Sequence, residues 1–105
     1  MQLYTKKEKT IMQKNWEIEQ NTGEMQNPVI KLFNPSGLGT WFISSLSPDE
    51  TLSYGVAKLF ENEIGSIDME GLKKTVCPPF GLPIEKDLYF SSQKYSIEDC
   101  LHKDL

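Results

Sequence analysis

Arginine is missing from this chain altogether. All eleven basic residues are lysine, against fifteen acids, for a net charge of −4. Arginine supplies the planar fork that grips phosphates and guanine edges. Without it, and with an acidic balance, direct binding to free nucleic acid is not expected, while docking on a basic protein surface stays open. Histidine occurs once, as His102, and cysteine twice, as Cys77 and Cys100. A structural zinc site draws on four ligands at paired short spacings, which this set does not supply. Cys100 and His102 stand two positions apart, so on a helix they face different ways, which also disfavours a Cys–His nucleophilic pair. No apolar run reaches membrane-spanning length, and "MQLYTKKEKT" has no apolar signal core. The thiols are therefore expected to be reduced and the chain cytoplasmic. No metal and no cofactor is expected.

What is present fits one globular domain, residues 1–105, with 38% hydrophobic and 25% charged residues. The charges are uneven. Between Asp49 and Glu70 stand Asp49, Glu50, Glu61, Glu63, Asp68 and Glu70, with Lys58 the one base. The first turns of the chain carry Lys6, Lys7, Lys9 and Lys14 against Glu8. Such runs are ordinarily solvated faces. The acidic one can also steer docking to a basic surface.

"TKKEKTIMQKNWEIEQN" predicts a first helix, opened by a capping box of Thr5 and Glu8. Ile11, Met12 and Trp16 form its narrow apolar stripe, which Ile18 extends. "VIKLF" (29–33) and "TWFISSL" (40–46) read as two strands of a hairpin. Simple alternation puts Phe42 and Leu46 on one face and Trp41 and Ile43 on the other. A third strand is expected over 51–60, with Gly55 a bulge or kink, and a short fourth in "IGSID". Asp68 caps a short helix, "MEGLKKT". "VCPPFGLP" is expected to be irregular because of its three prolines. "IEKDLYFSS" reads as a last strand with Leu88 and Phe90 on one face, and "SIEDCLHKDL" as a C-terminal helix capped by Ser96 and Asp99. Ile97, Cys100 and Leu101 can face inward on it. The fold class is α+β: an antiparallel sheet of about four to five strands packed against the N-terminal helix, with a short helix and a C-terminal helix.

The loop "NPSGLGT" (34–40) has the glycines of a phosphate cradle, but no lysine, and a strand-like run follows it instead of a helix. It reads as a hairpin turn, with Pro35 pre-setting φ and the glycines supplying freedom. The carboxylate pairs Glu61/Glu63 and Glu85/Asp87 alternate along strand-like segments, where acids on a solvent face are the common case. Most of the aromatic residues are core by spacing. Trp41 and Tyr54 are the candidates for surface anchors, since binding hot spots favour those residue types. No residue pattern points to catalysis.

"PVIKLFNPSGLGTWFISSLSPDETLSYGVAKL", "IGSIDMEGLKKTV" and "GLPIEKDLYF" together resemble a family of small bacterial proteins of unknown function, common on conjugative elements, plasmids and prophages. The resemblance runs from Thr5 to about Tyr95. The chain is also similar to small anti-CRISPR proteins that act against type II, Cas9-based systems. What this implies is a non-enzymatic, monomeric counter-defence protein that inhibits a Cas9–guide RNA complex by binding. The alternative is an accessory protein-binding module in plasmid or conjugative-element maintenance or transfer. The expected contact residues are Asp49, Glu50, Glu61, Glu63, Asp68, Glu70, Trp41 and Tyr54.

Overall fold

The computed structural model describes residues 3–105. Helix α1 (Lys6–Thr22) leads into strands β1 (Ile30–Phe33), β2 (Thr40–Leu46), β3 (Leu52–Lys58) and β4 (Asn62–Asp68). Helix α2 (Met69–Lys74), the short strands β5 (Val76–Cys77), β6 (Leu82–Pro83) and β7 (Glu85–Lys86), and helix α3 (Ile97–His102) complete the chain. Strands β4-β3-β2-β1-β7, in that order, form a five-stranded sheet whose neighbours are all antiparallel. The fold is α+β.

All three helices start where the sequence signals say. Thr5 accepts from the Glu8 amide while the Glu8 carboxylate takes the Thr5 amide, and Ser96 and Asp99 repeat the arrangement on α3. Asp68 accepts from the Gly71 amide at the head of α2. The turn between β1 and β2 is closed by the Asn34 amide on the Gly39 carbonyl, and the Asn34 side chain accepts from the Ser36 amide. It is a turn, as expected.

The second half of β2 differs from simple alternation. Ile43 pairs with Gly55 but Ser45 pairs with Tyr54, so Ser44 is an extra residue on β2. This bulge resets the parity. Leu46 joins Ile43 in the larger core cluster, with Met12, Leu32, Ile67, Met69 and Ile84, while Phe42 lies in a second cluster with Val56, Ile97 and Cys100. The irregularity expected at Gly55 thus sits across from it. Gly55 itself stays in register with Gly65 and meets the Phe42 backbone closely.

The inner line of α1 also differs from its predicted stripe. Met12, Asn15 and Glu19 are buried, whereas Ile11, Trp16 and Ile18 are half-buried. The reason is that β1 pairs only with Thr40–Ile43 of β2. Beyond that point α1 supplies polar partners: Asn15 Nδ2 donates to the Ser44 carbonyl at 2.8 Å, and Ser44 and Ser45 hydroxyls donate to the Glu19 carboxylate.

Two further expectations are corrected. "VCPPFGLP" is not wholly irregular: Val76↔Pro83 and Cys77↔Leu82 close a minimal hairpin around a cis Pro78–Pro79 bond. "IEKDLYFSS" keeps only Glu85–Lys86 as strand, paired with Leu32 and Phe33. Leu88 and Tyr89 are exposed, and Phe90 alone turns in to pack on the second cluster. An Asx bond from the Tyr89 amide to Asp87 bends the chain away from the sheet there.

The C-terminal segment is tied to the sheet by donors from three strands. Lys31 and Lys58 ammonium groups donate to the carbonyls of Leu105 and Lys103, and the Asn62 amide donates to that of Leu101. Among the described residues no helix is long and apolar enough to cross a membrane.

Candidate functional site: an acid-rimmed groove beside the sheet edge

The register places Trp41, Ala57 and Glu63 side by side across β2, β3 and β4. Because neighbours in a row share a face, they pave one strip of the sheet. Beside them α2, anchored by its Asp68 cap, brings up Leu72 and Thr75. The result is an open groove of about 430 Å³ with Trp41, Ala57, Leu59 and Leu72 as its apolar floor and Glu63 and Asp68 on its rim. A second hollow of about 300 Å³ continues it past Leu59 to Phe60 and Glu61 on the β3–β4 turn. Phe60 is 96% exposed at that end. A groove so open cannot enclose a small ligand, but it can receive part of a macromolecule.

The eight nominated residues divide by position. Glu61, Glu63, Asp68 and Trp41 line the groove and its continuation. Glu61 and Glu63 make no ion pair among the described residues. Asp68 lines the rim while capping α2, and Glu70 is paired with Lys74 one turn on, at 3.2 Å. Trp41 is half-buried, with its inner side on the larger cluster and Gly39 (φ 137°) folded against its ring.

The others lie elsewhere. Asp49 accepts from the Ser47 and Thr51 hydroxyls and the Thr51 amide, which hold its carboxyl below the usual range and shape the β2–β3 turn. Glu50, at φ 64°, accepts from the Tyr4 hydroxyl at 2.6 Å and pairs with Lys9 at 3.0 Å. The Tyr4 bond first, then Lys9, lowers its pKa. Burial and the Glu50 carboxylate push the Tyr4 hydroxyl up in turn. Tyr54 stacks on Trp16 with ring centroids 5.3 Å apart.

The densest buried polar group escaped the sequence reading. Glu19 takes hydrogen bonds from Ser44 (2.9 Å), Ser45 (2.5 Å) and the Gln26 amide (2.9 Å). A carboxylate beside two hydroxyls has the elements of a nucleophile and base. Yet Ser44 and Ser45 have no exposed surface, so no reacting carbonyl can approach them. The group's task is to join α1 to β2. The one available signal was the polar spacing Asn15–Glu19 on the helix, facing a "SS" pair in a strand. The thiols are equally withdrawn: Cys77 and Cys100 are buried in different clusters, and burial pushes Cys100 up to about 11. Among the described residues no three His, Cys, Asp or Glu side chains converge as a metal site would require.

A family model described as "protein of unknown function (DUF2958)" matches residues 3–98. The chain belongs to that family. No curated protein and no solved structure matches it. The DUF2958 match takes in all of the sheet and the groove, so both are features of the family's own region.

Proposed function

We propose that this DUF2958 protein is a non-enzymatic binding protein that docks its groove on a basic surface of another macromolecule. One observation carries this reading. From Leu59 to Leu72 the chain has four acids and no base, and this segment builds the rim of an exposed apolar groove. Apolar floor and charged rim are the division of labour of protein interfaces: the floor supplies affinity, the rim supplies rate and selectivity.

The finer reading is a cytoplasmic counter-defence role of a mobile element, in which the basic partner is a type II Cas9–guide RNA complex. The resemblance to anti-CRISPR proteins supports it, and so does the chemistry. Such a complex carries basic channels for nucleic acid, and an acidic, arginine-free domain can compete there without binding nucleic acid itself. The test is a DNA-cleavage assay with purified Cas9, adding the protein before and after guide loading. Inhibition in either order supports the reading. Undiminished cleavage at a large molar excess removes Cas9 as the partner. Recovery of a relaxase or partition protein from host cells in its place moves the chain to element maintenance or transfer.

A further inference from the structure

We propose that β4 is a docking edge, which takes an extended lysine- or arginine-bearing segment of a partner protein as a sixth strand of the sheet. This rests on the reading of the neighbouring groove as a partner site. β4 is the outermost strand on its side, seven residues long, with no strand beyond it. The Met69 amide donates to the Thr51 carbonyl at 3.1 Å, which makes Leu52↔Asp68 a non-hydrogen-bonded pair. Stepping along the register, Gly65 and Ile67 bond to β3, whereas the backbone groups of Ile64 and Ser66 point away from it. Among the described residues nothing meets those outward groups.

Proteins ordinarily blunt such an edge with charge, lysine above all, with proline or with a covering element, and the charges on this one are all carboxylates, which repel copies of itself and admit a basic strand. Between Leu59 and Leu72 there is neither lysine nor proline. The space beside Gly65, where a side chain would stand, is empty. Ile64 offers an exposed apolar side chain on one face of the edge, and Glu63 faces the groove on the other. An incoming strand therefore finds backbone donors and acceptors, one apolar contact, and carboxylates at Glu61 and Glu63 within reach of its alternate side chains.

Charge decides the occupant. A second copy of β4 would crowd two carboxylate-only edges, each with Glu61, Glu63 and Asp68, into one sheet, at a cost in free energy. A segment with lysine or arginine at alternate positions meets them with opposite charge and keeps apolar residues for Ile64. Only about five residues are needed to span the outward positions of an edge this short.

The experiment uses the full chain, labelled with 15N, and an alternating lysine–threonine heptapeptide as probe, with a glutamate–threonine heptapeptide as control. Saturating lysine peptide should slow hydrogen exchange of the Ile64 and Ser66 amides by about tenfold or more, because they enter a ladder. The Gly65 and Ile67 amides, already bonded to β3, should change little. The glutamate peptide should do nothing. Ser66→Pro removes one outward amide that the sheet does not use, as edge positions allow. It should abolish the protection at Ile64 while retained exchange protection at Gly65 and Ile67 reports an intact sheet. Peptide shifts confined to Trp41 and Leu72, with no protection on β4, overturn the edge and leave the groove standing. Failure of the peptide to bind anywhere overturns both. A dimer in sedimentation that Ser66→Pro dissolves overturns the heterologous occupant.

Discussion

A side-chain carbon placed on Gly55 would lie 1.9 Å from the carbonyl oxygen of Phe42. No rotamer relieves that contact, since both partners are backbone of paired strands at the centre of the sheet. Gly55→Ala is therefore expected to lower stability by about 3 kcal/mol or more, the upper end of overpacking costs. Gly65→Ala, one strand outward in the same register, meets open space and should be neutral or stabilising by about 0.5 kcal/mol. Denaturant titration of the two variants checks the contrast.

Glu19 is expected to matter to folding more than any other acid. Glu19→Ala leaves the buried Ser45 hydroxyl and the Gln26 amide without their acceptor, while the Ser44 hydroxyl keeps the Tyr54 carbonyl at 3.0 Å. An unsatisfied buried group costs about 1–3 kcal/mol, so a loss of about 3 kcal/mol in all is expected after partial relaxation. Adding Ser45→Ala should cost less than the sum of the separate losses, because the orphaned hydroxyl disappears with its partner. Equilibrium unfolding of the three backgrounds measures the coupling.

Stability should fall on both sides of neutrality, for different groups. Burial raises the Glu8 carboxyl, but bonds from Lys86 and Thr5 outweigh it and leave it lowered. Asp49, Glu50 and Asp99 are lowered too, by the Ser47 and Thr51 hydroxyls, by Tyr4 and Lys9, and by Lys103 and the Ser96 amide respectively. A lowered carboxyl stabilises fully above its unfolded pKa, about 4, and ceases to do so as pH drops through the folded value. Melting temperature should decline below about pH 4 for that reason. At the alkaline end, Cys100 rises from 9.0 to about 11, and Tyr4 rises above its ordinary 10.0. A raised neutral acid stabilises below its unfolded pKa and loses that contribution as pH climbs through the folded one. Tyr4→Phe should shrink the alkaline decline and, by removing the donor that most lowers Glu50, shrink the acid decline as well, at the cost of lower stability near neutrality. A pH series of thermal melts on both proteins reads both arms.

The acidic set should separate into binding and folding residues. Glu61→Lys with Glu63→Lys should leave the melting temperature nearly unchanged and weaken the inhibition proposed above by about tenfold or more, since rim charges govern encounter. Asp68→Ala should instead cost about 1 kcal/mol through its helix cap. Reversing all six acids at once would confuse the two effects. Inhibition curves beside melts, for each variant alone, keep them apart; equal inhibition by wild type and the Glu61/Glu63 variant would remove the rim from the interface.

Much of the architecture was legible because its signals are local. The capping residues Thr5, Glu8, Asp68, Ser96 and Asp99 act within one turn of chain, and the Asn34–Gly39 turn closes on itself. What escaped depends on distant partners. The buried line Met12–Asn15–Glu19 makes sense only once β2 is seen to lose its β1 neighbour after Ile43. The groove was half legible: the acids at Glu61 and Glu63 stood out as charge, but their meeting with Trp41 needed the strand register. Asp49 and Glu50 looked like the same patch because sequence proximity says nothing about where carboxylates point. Alternation puts Leu88 and Phe90 on one face, but the strand ends at Lys86 and the chain bends at Asp87.

The extra residue at Ser44 has a reach beyond its own strand. Deleting one position between Ile43 and Leu46 would remove the bulge and, by strict alternation, keep Leu46 on the face of Ile43, but it would take away one of the two hydroxyls that donate to Glu19. Inserting one beside the retained bulge would turn Leu46 out of the larger cluster. Family members should therefore vary freely in the length of the Asn34–Gly39 loop while this stretch of four holds its spacing. A deletion there marks a relative that joins its helix to this strand without the paired hydroxyls, and an insertion one whose larger core has been rebuilt.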